Sequence, residues 1–188
     1  MESATIKTNN KIHPYKLTLW IGIGSIVMMF AGLTSAYIVK RSQAGWVNYD
    51  LPNAFWISTL FILASSLTVH LAGKAYRERA LAVYRRWIAV TLVLGVLFTW
   101  TQYIGFKDFW NQGMTLQANV AYSFLYVIVG LHALHVAGGI IALVVMALKA
   151  FSTKKRVYSY VPVDLIQTYW HFVDILWIYL FIFLIMIR

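Results

Sequence analysis

The sequence predicts an all-α membrane protein, a bundle of five transmembrane helices. Three observations predict it. Of the 188 residues, 61% are hydrophobic and 12% are charged, whereas soluble domains carry about 45–50% apolar and about 25% charged residues. A soluble chain of this length has too little interior to hide so much apolar surface, and the mean hydropathy of +0.69 agrees. The apolar residues also gather in five long runs, each close to the ~20 residues that a spanning helix needs. None shows the strict alternation over about 10 residues that marks a barrel strand.

The first run, 17–39, follows a polar segment, 1–16, with Lys7, Lys11, Lys16 and the pair His13-Pro14. A basic start suits a signal peptide, but an apolar run of 23 residues exceeds the roughly 7–15 of a signal core. It is read as a retained first helix. The second run, 55–72, carries Ser65, Ser66 and Thr68, small residues suited to close helix approach. His70 near its end is read as an interfacial histidine rather than a ligand. The third, fourth and fifth runs are 88–106, 120–148 and 163–187. The links between runs are 13–15 residues long, too short for a soluble domain, so 17–188 is one membrane domain. Trp20, Trp46, Trp56, Trp87, Trp100 and Trp110 fall near the ends of the runs, as an aromatic belt does.

Charge sets the orientation. Twelve of the 16 Lys and Arg fall on the N-terminal side of the alternating links; Lys40, Arg41, Lys107 and Arg188 fall on the other. Positive charge stays inside, which predicts a cytoplasmic N-terminus and an outer C-terminus. The formal net charge of +10 therefore reflects topology rather than nucleic-acid binding. The segment with Arg77, Arg79, Arg85 and Arg86 is read as a solvated loop that enforces topology, with contact to anionic lipid headgroups as the competing role. The absence of Cys excludes disulfides, thiolate metal sites and iron–sulfur ligation.

Ionisable groups at membrane depth each need a reason. His132 and His135 lie three residues apart, on one face of the fourth helix. His171 and Asp174 repeat that spacing on the fifth. At ~1.5 Å per residue, His135 and Asp174 reach comparable depths, about 16–20 Å in. Sequential helices joined by a short link run antiparallel and pack together, so an Asp174–His135 contact is expected. Without a partner, a charged Asp174 would take up a proton. Three readings compete: an interhelical hydrogen-bond network that fixes helix packing, which is favoured; a haem or metal site pairing His132 or His135 with His171; and a proton relay, for which the sequence shows no continuous polar path. Gly130, Gly138 and Gly139 suit close helix approach, and Trp170 and Trp177 are read as packing residues.

The histidine cluster also carries a resemblance. The stretch Gly130-Leu131-His132-Ala133-Leu134-His135-Val136-Ala137-Gly138-Gly139 resembles the G-[FL]-H-x-L-H-V-x-x-G motif of subunit III of haem–copper terminal oxidases. Tyr169-Trp170-His171-Phe172-Val173-Asp174-Ile175-Leu176-Trp177 is similar to that family's Y-W-H-F-V-D-x-x-W. Phe30-Ala31-Gly32, Asn53 and Gln102 match further family positions, so the likeness runs from about Leu17 to the C-terminus.

The resemblance implies the short five-helix form, lacking the first two helices of larger members. It implies a non-redox subunit of a bacterial inner-membrane oxidase that pumps protons and reduces dioxygen with electrons from cytochrome c or quinol. By the same likeness the chain holds no haem or copper, which lie in partner subunits. It packs on subunit I, binds phospholipid, supports proton uptake and can sit in a larger respiratory assembly. Two positions depart from the family: Ile26 and Gly105 stand where many members have a Glu. Those carboxylates are the ones associated with proton handling, so their absence favours a scaffold role for His132, His135, His171 and Asp174. The rival readings are the quinol-oxidase version of the subunit, a small bis-His haem b electron-transfer protein, and a transporter. A transporter would show broken helices and inverted repeats.

Overall fold

The computed structural model describes residues 14–42, 45–152 and 159–187. Among these residues five helices make up the fold: α1 (Pro14–Arg41), α2 (Asn53–Arg77), α3 (Leu81–Asn111), α4 (Val120–Phe151) and α5 (Val161–Ile187). Each is long and apolar enough to cross a membrane. They run up and down in sequence order, so the start of α1, the α2–α3 turn, the end of α4 and the start of α5 share one end of the bundle. Most of the 1–16 segment, and Lys154, Lys155, Arg156 and Arg188, lie outside the described residues.

The helices outrun their apolar cores, because interfacial Lys, Arg and Tyr are competent helix formers whose stems lie along the bundle while their heads reach water. The change is greatest between α2 and α3, where a loop was expected over 73–87. Only Glu78, Arg79 and Ala80 separate the two helices. Arg77 ends α2, while Arg85 and Arg86 lie inside α3. A Schellman turn makes the reversal: Ala80 N–H donates to the Ala75 carbonyl and Arg79 N–H to that of Tyr76, with Arg79 left-handed at φ 59°. Gly113 (φ 77°) closes α3 in the same way through Met114 N–H to Phe109 and its own N–H to Trp110. Asn119 caps α4, its Oδ1 accepting from Ala121 N–H at 2.8 Å.

Packing is unequal. Helices α2, α3, α4 and α5 form a closed ring in which α2 meets α3 and α5, and α4 meets α3 and α5. Helix α1 lies outside the ring and packs on α4 and α5 alone. Its inward residues are Ile23, Phe30, Thr34 and Tyr37, flanked by the half-buried Ile26, Met29 and Leu33, and most of the remaining surface is open. Two hydrogen bonds hold its outer half: Thr34 to the Tyr179 hydroxyl at 3.0 Å, and Tyr37 to the Tyr49 hydroxyl at 2.9 Å. At its start Lys16 is paired with Asp164 in the first turn of α5.

Candidate functional site

Trp170 and Trp177 are fully buried and lie seven residues apart on α5, so both point into the ring. Their indole N–H groups donate to hydroxyls six residues apart on the antiparallel α2. Trp170 reaches Ser65 Oγ and Trp177 reaches Thr59 Oγ1, each at 3.0 Å. The Trp170 ring is held between glycines of α3 and α4. A Cβ built on Gly95 would lie 2.9 Å from Trp170 Cη2, and one on Gly139 would lie 3.0 Å from Cζ3. The two glycines are thus needed for the indole to occupy the centre of the ring. Thr68 and Thr91 join α2 to α3 at 2.8 Å, and Gln102 Nε2 donates to Ser58 Oγ at 2.8 Å.

The structure separates the four ionisable residues of the expected cluster. His132 is 1% exposed, with the rings of Phe30, Phe98 and Trp177 around it at centroid distances of 6.5, 6.1 and 5.2 Å. Neither of its ring nitrogens has a hydrogen-bond partner among the described residues. His135 is half-buried, and its Nδ1 lies 2.7 Å from the carbonyl of Leu131 in its own helix. The α4–α5 bond at that level is made by Tyr169, whose hydroxyl donates to the His135 carbonyl at 3.0 Å. His171 faces α2 instead of α4, with Nδ1 2.7 Å from Ser66 Oγ. Asp174 is 2% exposed and neighbours that same serine. Ser66 can accept from His171 and keep its own proton for Asp174, although neither Asp174 oxygen makes a hydrogen bond of normal geometry among the described residues.

The expected Asp174–His135 contact is therefore replaced by two separate arrangements. Depth was matched, but α5 is rotated so that Trp170 and Trp177 face the ring centre, which turns His171 and Asp174 towards α2. The glycines also divide. Gly139 is a contact point, Gly138 has only the Tyr169 hydroxyl at 3.9 Å, and Gly130 has nothing within 4 Å of a built Cβ. Gly130 thus serves no close approach within this chain. Gly105, where the resemblance expects a Glu, lies buried against Phe55, whose Cε1 would sit 3.1 Å from a Cβ. A longer side chain there would push α2 off α3. Ser66 and Thr59 as partners of His171 and Trp177 went unread; the signal available was the run of hydroxyls Thr59, Ser65 and Ser66 on α2, whose six-residue spacing Thr59–Ser65 faces Trp177 and Trp170 on the antiparallel α5.

The basic residues have mostly structural partners. Arg85 Nε donates to the Ala150 carbonyl at 2.6 Å, beside the Phe151 ring, and so ties α3 to the end of α4. Arg77 lies 4.5 Å over the Tyr160 ring and 3.9 Å from Asp164. His70, Lys74, Arg77 and Gln167 line an open recess of about 220 Å³ where α2 and α5 meet at this end. Arg79 and Arg86 are exposed.

Among the described residues no pair of histidines is set up for bis-axial ligation. The ring of His132 is wrapped by aromatic side chains between α1, α3 and α5, while His171 opens towards α2. Among the described residues no three His, Asp or Glu converge as a metal-binding group.

These features define a class: a multi-pass, all-helical membrane protein whose buried polar residues chiefly join its own helices. The cytochrome c oxidase subunit III family model matches residues 48–187, and the chain belongs to that family. It is 30% identical over 191 residues to a probable cytochrome c oxidase subunit 3 of Mycobacterium tuberculosis (strain ATCC 25618 / H37Rv), covering 95% of this chain and 94% of the relative. The corresponding figures for cytochrome c oxidase subunit 3 of Corynebacterium diphtheriae are 31% over 176 residues, 86% and 85%. For that of Bacillus subtilis they are 27% over 186 residues, 96% and 87%. The chain is thus a haem–copper oxidase subunit III.

Proposed function

We propose that this chain is the non-redox scaffold subunit of a proton-pumping oxidase, packed directly on subunit I and stabilising it, with haems and copper held by partner subunits. The observation that carries the reading is the engagement of the family motifs within the chain itself. Trp170, Trp177 and Tyr169 bond α2 and α4, His171 bonds Ser66, and His132 is enclosed by three aromatic rings. Relatives carry the name cytochrome c oxidase subunit 3, which favours cytochrome c over quinol as the donor of the complex. The basic end of the bundle faces the cytoplasm, and Lys74, Arg77, Arg79 and Arg86 meet anionic phospholipid there.

The test is an affinity pull-down from native membranes in mild detergent, with a tag on the N-terminus. The reading expects a reduced-minus-oxidised haem spectrum that arrives with a large partner and is lost when the tagged chain is stripped away alone. Haem retained by the isolated chain would overturn it.

A further inference from the structure

One buried group is unused by the packing just described. Asp174 is 2% exposed, and neither carboxyl oxygen has a partner among the described residues. Leaving a carboxylate in that state costs several kcal/mol, far more than the average ~0.6 kcal/mol gained from an interhelical hydrogen bond in a membrane. Packing alone gives no reason to keep it. Its surroundings are graded towards water. Ser66 adjoins the carboxyl, His171 Nδ1 is 2.7 Å from Ser66 Oγ, and the exposed His70 has its ring centroid 6.2 Å from that of His171. Gln167 Nε2 is 3.3 Å from His70 Nδ1. His70 and Gln167 both line the 220 Å³ recess, which is open and large enough for several waters.

We propose that the α2–α5 seam is a proton-loading path, running from the recess through His70, His171 and Ser66 to Asp174. It goes beyond the oxidase assignment and rests on this chain's geometry alone. A proton from water in the recess arrives at His171 Nε2, by way of His70 or of one water bridging the two rings. The Nδ1 proton passes to Ser66 Oγ as the serine's own proton passes to Asp174. The carboxylate becomes a carboxylic acid, the serine is unchanged, and the recess has lost one proton. Rotation of the imidazole resets the path.

The other titratable and charged groups around Asp174 take no part. On α4, His132 is enclosed by aromatic rings and His135 is bonded to Leu131. On α1, Lys16 is paired with Asp164. On α2, Lys74 and Arg77 stand at the mouth. On α3, Tyr84 is buried against Gly73 and Gln167 near the mouth of the seam, on the far side of His171 from Asp174, and Thr91, bonded to Thr68, is neutral.

The experiment is infrared spectroscopy of the full chain in lipid nanodiscs, with the carboxyl C=O band assigned by the wild-type minus Asp174→Asn difference. The readout is the rate at which that band shifts after transfer to D2O. Ser66→Ala should slow the exchange about a hundredfold or more, the scale of losing one positioned proton-transfer group. Ser66→Thr, which keeps the hydroxyl, should restore it. His171→Asn should slow it likewise, and carries the test if Ser66→Ala fails to fold. An exchange rate equal in wild type and Ser66→Ala would overturn the proposal, as would equal slowing in Ser66→Ala and Ser66→Thr. So would the lack of any exchanging Asp174 band. The isolated chain gives this result whether or not it co-purifies with haem, so failure here and failure of the oxidase reading are separable.

Discussion

Replacing Gly139 by alanine places a methyl group 3.0 Å from Trp170 Cζ3, 3.1 Å from Cε3 and 3.3 Å from Tyr169 Cε1. Carbon atoms prefer about 3.5–4.0 Å, so the indole must retreat by several tenths of an ångström. It has nowhere to go. Its opposite edge already stands where a Gly95 Cβ would be 2.9 Å away, and its N–H is anchored on Ser65 at 3.0 Å. Overpacking of this kind costs about 1–3 kcal/mol. For a chain of this size each kcal/mol moves the melting temperature by about 2–4 °C, giving a loss of roughly 2–12 °C. Gly138→Ala is the control, since its nearest atom is 3.9 Å away. Both changes share the same intrinsic gain of alanine over glycine in a helix, so their difference isolates the clash. The assay is thermal unfolding of the purified chain in one detergent, followed by far-UV circular dichroism. Equal melting of the two variants would refute the claim that Trp170 is pinned between Gly95 and Gly139.

Further expectations concern other joints of the bundle. Gly130→Ala, at a position with no neighbour within 4 Å, should melt at or slightly above wild type in the same assay. Trp177→Phe keeps most of the buried ring but loses the bond to Thr59, and should cost about 0.6–1.7 kcal/mol, read from the denaturation midpoint. Lys16→Ala removes a pair whose lysine is 44% exposed. Its cost should stay below about 1 kcal/mol and shrink further in high salt, and a larger loss would show that α1 is anchored there. Arg85→Ala should open the end of α4 at Ala150, seen as faster amide exchange over the last turn of that helix and not at its start.

The sequence states the number of crossings plainly, because a run of about 20 apolar residues has few other uses. Where each helix ends is less legible. Arg77, Arg85 and Arg86 look like loop residues by charge but sit in helices, since their long stems favour helix and their heads reach water. Helix rotation is hardest of all. Helices apolar on every side carry no periodic signal to mark the inner face. Gly130, Gly138 and Gly139 therefore look alike in sequence, yet only Gly139 touches Trp170. The same blindness turned His171 and Asp174 towards α4 in expectation and towards α2 in the structure. The motif residues themselves were visible. What chose their partners was the bulk of Trp170 and Trp177, which fixes the rotation of α5 before any smaller polar residue can.

That rotation has a consequence for how the chain is made. Helix α5 reaches every other helix: α1 through Asp164 and Tyr179, α2 through Trp170, Trp177 and His171, α3 through Gly95 and Phe98, and α4 through Gly139 and Tyr169. It is also the last of the five to leave the ribosome, whereas α1 leaves first and packs only on α4 and α5. Local contacts form early and distant ones wait, so the α2–α3 hairpin can assemble while α1 drifts alone in lipid. A nascent chain stopped short of Val161 would hold α1 on α4 alone and α2 on α3 alone, with the ring unclosed and the Trp170 socket empty. Quality control that senses open packing faces in the bilayer would see such a fragment as unfinished until the final 27-residue helix docks.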